Sequence, residues 1–187
     1  SYEADQQLFP ILQDRIFVLL VLAFVFGAVP FLASEYLFRA ILIPFLILAL
    51  AAIGLNILVG FCGQVSLGTG GFMAVGAYAA YNLAIRLPDL NLLVVFLLAG
   101  AAATVVGVLF GVPSLRIKGF YLAVATLAAQ FFLDWAFARI GWFTNYAPSG
   151  SVTAPAITVF GYTFDSPVEK YLFVLAFVCV FALVARN

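Results

Sequence analysis

The chain has 187 residues, of which 66% are hydrophobic and 9% are charged, whereas a soluble domain is about half apolar and about a quarter charged. Its eight acidic and eight basic residues cancel, so no surplus of positive charge is available to hold nucleic acid. Histidine is absent, and Cys62 and Cys179 have no metal-ligating residue at ligand spacing. This argues against a zinc site and against thiol catalysis, and no metal or other cofactor is expected.

Long apolar segments follow one another along the chain. A bilayer core about 30 Å thick requires about 20 apolar helical residues, and six segments come close to that length: 16–33, 40–60, 65–85, 92–112, 120–137 and 171–185. We therefore predict an all-α fold, a polytopic transmembrane helical bundle of about six segments. Residues 1–15 are polar and are predicted to form an extramembrane tail, which leaves 16–187 as the transmembrane domain.

Two connections indicate the topology. The segment 139–170 mixes glycine, proline, serine and threonine, so we predict an extramembrane loop that either forms a short hairpin or lies flat on the membrane. Lysines and arginines are divided equally between the two sides of the bundle, but Arg116 and Lys118 crowd one short loop. Basic loops favour the cytoplasm, and this loop therefore predicts a cytoplasmic N-terminus.

The stretch between Arg39 and Arg86 contains no charge and concentrates glycine and small polar residues. It is too long for one spanning helix, so we predict two, with a tight connection at 60–64 and a broken, glycine-rich helix near 60–76. In hydrocarbon the peptide groups of a break must be shielded by other helices or face a water-filled cavity. Nine residues are therefore candidates for lining a translocation path: Asn56, Gly60, Gly63, Gln64, Ser66, Gly68, Thr69, Gly70 and Gly71.

A packing interpretation of these glycines stays open and is compatible with the first, since glycine also allows two membrane helices to approach closely. Ala103, Gly107 and Gly111 recur every four residues, and this stripe of small residues predicts helix packing, against another helix of this chain or against a second subunit. Asp134 is the only acidic residue in a predicted span. Arg139 lies close behind it, which favours a position among the lipid headgroups over a substrate or proton site.

Three stretches are similar to sequences of one transporter family. Residues 56–78 (NILVGFCGQVSLGTGGFMAVGAY) closely resemble the signature of the branched-chain amino acid permease family, while residues 113–127 (PSLRIKGFYLAVATL) and 142–155 (WFTNYAPSGSVTAP) look like its next motif and the loop that follows. The resemblance covers the chain from about residue 42 onward, and the motif order resembles the M-type subunit rather than its H-type partner. The loop departs from the family at 144–151, where Thr-Asn-Tyr stands in place of a Thr-Gly-Gly pattern.

The resemblance implies a permease subunit of an ABC importer in the bacterial inner membrane, a multi-pass protein that forms the path for branched-chain amino acids and is not itself an enzyme. It further implies a second, H-type permease, two ATPase subunits, a periplasmic substrate-binding protein and contact with membrane lipid. The sequence agrees in one respect, because no Gly-Lys-Ser or Gly-Lys-Thr phosphate-binding loop follows its glycines. The family's ATPase-coupling helix lies beyond position 187, so the chain is expected to be a piece of a longer protein.

Other functions stay open. Related permeases for urea or short amides share these motifs, so the sequence does not distinguish their cargo from branched-chain amino acids. An ion-coupled secondary carrier or channel belongs to a different class and would be expected to have charges or paired broken helices within the membrane. If the glycines line a path, bulky residues at Gly68 or Gly71 are expected to abolish uptake while assembly remains detectable.

Overall fold

The computed structural model describes residues 12–114, 120–147, 152–153, 155, 158–159 and 162–186. Its helices are α1 (Leu12–Ala23), α2 (Val29–Leu32), α3 (Glu35–Leu37), α4 (Ile43–Cys62), α5 (Thr69–Arg86), α6 (Leu92–Ser114), α7 (Phe120–Arg139) and α8 (Pro167–Arg186). A short antiparallel hairpin pairs β1 (Thr158–Val159) with β2 (Tyr162–Thr163). It lies in the predicted extramembrane loop and corresponds to the hairpin alternative.

Among the described residues, four stretches of helix are long and apolar enough to cross a membrane: Glu35–Cys62, Leu92–Val112, Tyr121–Arg139 and Pro167–Ala185. They confirm the prediction of an all-α, polytopic membrane fold. The apolar helix Ile16–Leu32 is shorter, and α5 contains glycine, tyrosine and asparagine among its apolar residues, so the crossing of these two segments stays a prediction. The first helix begins at Leu12, inside the predicted polar tail, whose residues 1–11 lie outside the described residues.

Two π-helical turns interrupt the N-terminal helices, at Phe24–Ala28 and Phe38–Leu42, and a proline follows each of them. In a π turn the carbonyl of one residue pairs with the N–H five residues later. The carbonyl of Val25 would therefore need the N–H of residue 30, which Pro30 lacks. The buried Tyr171 hydroxyl donates to this carbonyl instead, at 3.2 Å, and so joins the N-terminal helices to α8.

The helices pack in two groups. In the first group α4 packs against α8, around the buried side chains of Phe38, Leu46, Tyr171 and Leu175. In the second group α5 packs against α6 and α7, around the buried side chains of Val75, Leu133 and Phe137. The second group begins directly after the glycine-rich connection between α4 and α5, so it positions that connection.

The helices α5 and α7 run in the same direction. The residue before α5, Gly68, contacts Thr126 early in α7, and Tyr78 further along α5 stacks on Phe137 further along α7, with ring centres 4.4 Å apart. Since α6 connects the two in sequence, it runs antiparallel to both. The glycine-rich connection and the end of α5 therefore lie at opposite ends of this three-helix group.

Each end of the group is identified by its connections. At one end Arg86 lies over Trp142, and the hairpin residue Thr158 lines a pocket together with Leu92; we call this the hairpin end. At the other end the chain passes from α4 to α5 through residues 63–68, and we call this the break end. The two ends would face opposite sides of a membrane crossed by these helices.

Candidate functional site

The connection between α4 and α5 is a break in the membrane helix at residues 63–68. Gly63 ends α4 with a left-handed backbone, φ 62°, a conformation that glycine adopts without the steric cost of a side chain. Its N–H donates to the carbonyl of Val59 at 3.1 Å, and the chain becomes helical again at Thr69. The predicted broken helix near 60–76 is thus confirmed, whereas the connection predicted at 60–64 lies at 63–68, because α4 continues to Cys62 and α5 begins only at Thr69.

Hydrogen bonds to one threonine hold the break against α7. The N–H of Leu67 donates to Thr126 Oγ1 at 3.0 Å, and the same hydroxyl donates to the carbonyl of Ala123 at 2.9 Å. Within the break, the N–H of Gly68 donates to Ser66 Oγ at 3.3 Å. Side chains therefore pair two N–H groups that lie outside any helix, as an apolar surrounding requires. The sequence patterns gave no indication of Thr126, because its partner lies 59 residues away.

Glycines allow the start of α5 to lie directly against α7. A Cβ built on Gly68 would stand 2.5 Å from the carbonyl oxygen of Thr126, and one built on Gly71 would stand 3.0 Å from Gln130 Cα. Both neighbours are backbone atoms, which cannot move aside by a change of rotamer. At Gly70 the nearest atom is Gln130 Oε1, at 3.3 Å, and a side-chain end can move. The close contact between the two helices therefore requires glycine at positions 68 and 71.

A pocket of about 240 Å³ lies beside the break, between α5, α6 and α7. Its polar side chains are those of Gln64 and Ser66 from the break and Thr126 from α7. Most of its wall is apolar, with contributions from Leu58, Phe72, Phe110 and Leu122. No charged side chain is found among the described residues that line it, so the pocket suits a small solute without net charge.

The structure brings two of the nine predicted path residues, Gln64 and Ser66, into this pocket. The other seven lie elsewhere: Asn56 and Gly60 on the exposed surface of α4, Gly63 at its end, Thr69 at the start of α5, and Gly68, Gly70 and Gly71 beside α7. The geometry thus divides the glycine-rich stretch into a part that faces the pocket and a part that packs.

The stripe of small residues on α6 is divided in the same way. Ala103 packs against the buried cluster of the second helix group, as a packing residue should. Gly107 and Gly111 line the pocket, and a Cβ on either would meet no described atom within 4 Å. Their lack of a side chain leaves the pocket open, while their contact with a second subunit stays a prediction.

A second set of polar contacts lies at the hairpin end. The buried amide of Asn82 donates to the carbonyls of Tyr78 and Phe143, both at 2.9 Å. The guanidinium carbon of Arg86 lies 4.0 Å from the centre of the Trp142 ring, and Arg86 Nη2 donates to the Trp142 carbonyl at 3.2 Å. These contacts fix the loop 141–147 on α5. The sequence reasoning missed Asn82, although a lone amide in an apolar helix is a signal in itself, because a buried amide needs partners.

Comparison with known proteins identifies the family. The chain matches the family described as "Branched-chain amino acid transport system / permease component" over residues 37–187. It is 35% identical over 124 residues to the High-affinity branched-chain amino acid transport system permease protein LivM of Escherichia coli (strain K12), and equally to that of Salmonella typhimurium (strain LT2). These matches cover 64% of this chain and 28% of each relative, so the chain spans well under half of their length. No solved structure matches the chain.

The family match and the fold agree with each other. The match extends over most of the chain, and of the four stretches that are able to span a membrane in the described part of the chain it omits only residues 35 and 36. Both relatives are transport permeases rather than enzymes. The chain is therefore a multi-pass membrane protein that belongs to the family of permease components of branched-chain amino acid transport systems.

Proposed function

We propose that the chain is part of the permease subunit of an ABC importer in the cell inner membrane, and that the pocket beside the break lies on the path of branched-chain amino acids. Two separate ATPase subunits hydrolyse ATP, and a second permease and a periplasmic substrate-binding protein complete the transporter. The proposal rests on one observation: the polar side chains of Gln64 and Ser66 line an otherwise mostly apolar pocket beside a break in a membrane helix.

The chemistry of the pocket matches the chemistry of such a cargo. An aliphatic amino acid has an apolar side chain, for which Phe72, Phe110 and Leu122 supply contacts, and polar ends, for which Gln64 and Ser66 supply partners. The side-chain amide of Gln64 makes no hydrogen bond to another described residue, so its donors and acceptor are available. At about 240 Å³ the pocket is smaller than the roughly 300–1,000 Å³ of sites for drug-sized ligands, which favours a small solute.

The proposal includes an orientation. The basic loop between α6 and α7 favours a cytoplasmic N-terminus, and α6 ends and α7 begins at the break end. The pocket beside the break then lies nearer the cytoplasm, and the hairpin end faces the periplasm. Cysteine residues introduced at exposed positions of the two ends, such as Asp89 at the hairpin end, would report this orientation through labelling with a membrane-impermeant thiol reagent in intact cells.

Filling the pocket tests whether cargo passes through it. In Gly107→Leu the new side chain enters open space next to Gln64 and Ser66, so uptake of labelled leucine by the complete transporter should fall at least tenfold at an unchanged amount of protein in the membrane. Gly100→Leu is the matched control, since it introduces the same side chain into the same helix at an exposed position with no described atom within 4 Å. Equal uptake by the two variants would contradict the proposed path.

The other functions make different predictions. The uncharged lining of the pocket among the described residues favours an ATP-driven permease over an ion-coupled carrier, which needs ionisable groups on its path. Uptake that stops on ATP depletion and continues in the presence of an ionophore supports the ABC importer, and the reverse result supports the carrier. Competition of urea or short amides with leucine for uptake would identify a permease of the same family with a different cargo.

A further inference from the structure

A pocket that is distinct from the one lined by Thr158 and Leu92, open to the surface and about 670 Å³ in volume, lies at the hairpin end between α5, α7 and the loop 141–147. We call it the second pocket. Tyr78 and Phe137 supply an aromatic wall, and Thr144 supplies a buried hydroxyl-bearing side chain. This pocket shares no lining residue with the pocket beside the break. It is therefore a separate cavity at the opposite end of the three-helix group.

Among the described residues, one negative and one positive side chain line this second pocket, Asp134 and Arg139. Both are exposed, and they lie five residues apart on α7, which is about 7.5 Å along the helix axis. Neither side chain forms an ion pair or a hydrogen bond with another residue of the described part of the chain. Both charges are consequently available to a ligand that carries the opposite charges.

The aromatic wall is held in place by its neighbours. The rings of Tyr78 and Phe137 stack with centres 4.4 Å apart, and Phe143 meets Phe137 edge-on at 4.9 Å. The hydrogen bond from Asn82 to the Phe143 carbonyl fixes the loop at the same point. Because the wall is already ordered, a ligand that binds there loses little affinity to rearrangement of the protein.

The backbone of the loop is tightly wound beside the pocket. Asn145 and Tyr146 both have left-handed backbones, with φ of 51° and 56°, and the N–H of Tyr146 donates to the Gly141 carbonyl at 2.7 Å. Consecutive left-handed residues other than glycine are unfavourable and persist where the surrounding contacts impose them. They hold Thr144 and Tyr146 at the rim of the pocket.

We propose that this pocket binds an α-amino acid zwitterion with an apolar side chain, in addition to and upstream of the pocket beside the break. Asp134 pairs with the ammonium group, Arg139 pairs with the carboxylate, and the apolar side chain lies against Phe137 and Tyr78. The identity of the cargo rests on the proposed function, whereas the charge pair and the aromatic wall define the ligand class by themselves. Charge-assisted hydrogen bonds at both ends distinguish the zwitterion from a neutral amide such as urea.

A lipid headgroup shares part of this chemistry, and the sequence favoured a headgroup position for Asp134 over the substrate site that we propose. Phosphatidylethanolamine also has a primary ammonium next to an anion, and the pocket lies near the membrane surface. The ordered aromatic wall favours a free amino acid, because an amino acid carries its apolar side chain on the carbon between its two charges, whereas the acyl chains of the lipid lie beyond the phosphate and the glycerol. Binding is therefore measured in phosphatidylcholine nanodiscs, whose headgroup has no ammonium N–H to donate.

The experiment measures leucine binding to the complete transporter without its soluble binding protein, in the Gly107→Leu background that fills the other pocket. Leucine, leucinamide and 4-methylpentanoate are the probes, since the second lacks the carboxylate and the third lacks the ammonium group. We expect Asp134→Asn to weaken leucine binding about tenfold and to leave the binding of 4-methylpentanoate unchanged. We expect Arg139→Gln to weaken leucine binding by the same factor and to leave the binding of leucinamide unchanged. Glu35→Gln and Arg39→Gln are the controls, because these exposed charges lie outside the pocket.

The outcomes separate this inference from the proposed function. Leucine binding that is the same in the two pocket variants and in the controls overturns the inference, even if ATP-driven leucine uptake by the unmodified transporter is intact. Retention of phosphatidylethanolamine that depends on Asp134, without any effect on leucine, also overturns it and identifies a lipid site. Absence of ATP-driven uptake in the unmodified transporter contradicts the proposed function, whereas charge-dependent leucine binding would still support the pocket.

Discussion

Gly68 and Thr126 lie so close that a single methyl group on the glycine would stand 2.5 Å from the threonine carbonyl oxygen. The hydroxyl of the same threonine accepts the N–H of Leu67, so the break is attached to α7 by a steric contact and by a hydrogen bond. Ser66, two residues before Gly68, faces the pocket. Packing and pocket lining therefore alternate within a few residues, with Gly68 packed against α7 and Ser66 facing the pocket.

The close approach changes the expectation for bulky residues at Gly68. Gly68→Ala should lower the stability of the folded protein by about 1–3 kcal/mol, the usual cost of forcing an extra group into a packed contact, because the Thr126 backbone has to move. Gly76→Ala is the matched control on α5, where a Cβ meets no described atom within 4 Å and alanine is the better helix former. Thermal unfolding in detergent should place Gly68→Ala below the unmodified protein and Gly76→Ala at or above it.

Equal stability of these two variants would show that the contact between Gly68 and Thr126 is not formed. Loss of uptake in Gly68→Ala at normal stability would instead assign position 68 to the path. The measurement of stability next to uptake is therefore necessary at this position, whereas at Gly107 uptake is informative by itself because the space there is open.

The buried amide of Asn82 is expected to determine the order of the loop 141–147. Asn82→Leu keeps a side chain of similar size but leaves the partly buried Phe143 carbonyl without its donor, and an unpaired carbonyl away from water costs about 1–3 kcal/mol. We expect a lower unfolding temperature and faster proteolytic cleavage within the loop. Asn56→Leu removes an exposed amide from α4 and should leave the cleavage rate unchanged. Equal cleavage of both variants would contradict the role of Asn82.

The sequence predicted the helices well because a bilayer imposes a length on them. The segments 40–60, 92–112 and 120–137 correspond to α4, α6 and α7 within a few residues, and the concentration of glycines and small polar residues in a charge-free stretch predicted the break. The sequence did not predict which helix packs against each helix face. Gly107 and Ala103 belong to the same stripe of small residues, yet Gly107 lines a pocket and Ala103 packs against the buried cluster of the second helix group. Side chains that face lipid and those that face protein are equally apolar, so no polar stripe indicates which face meets which helix.

The hairpin contains a phenol whose ionisation should depend on one carboxylate. The Tyr162 hydroxyl donates to Glu169 Oε1 at 2.7 Å, and this hydrogen bond, followed by the negative charge of Glu169, raises the pKa of Tyr162 above its ordinary value. A raised pKa means that the folded protein favours the protonated phenol. The bond is therefore fully present below the ordinary pKa of about 10 and is lost as the pH rises through the raised pKa.

Absorbance titration checks this prediction, with Tyr162→Phe subtracted to isolate one phenol among the eight tyrosines. The midpoint for Tyr162 should lie above 10, and Glu169→Gln should lower it towards 10. Asp165→Asn is the control, since the charge of Asp165 is the smallest cause of the shift and its removal should change the midpoint least. A midpoint that is insensitive to Glu169→Gln would show that the hydrogen bond is absent in solution.

The contact between Tyr171 and Val25 leads to a prediction for the N-terminal helices. Tyr171→Phe keeps the ring, which lies 5.3 Å from that of Phe38, and removes only the hydroxyl that donates to the Val25 carbonyl. Since Pro30 has no N–H to take its place, that carbonyl is left unpaired, and we expect a loss of about 1–3 kcal/mol. Tyr36→Phe is the control, because Tyr36 is 73% exposed. This variant should unfold at the temperature of the unmodified protein. If Pro30→Ala restores the stability of the Tyr171→Phe variant, the missing N–H of the proline is the reason that the π turn needs a hydroxyl from α8. Equal unfolding temperatures of the Tyr171→Phe and Tyr36→Phe variants would contradict the hydrogen bond between Tyr171 and Val25.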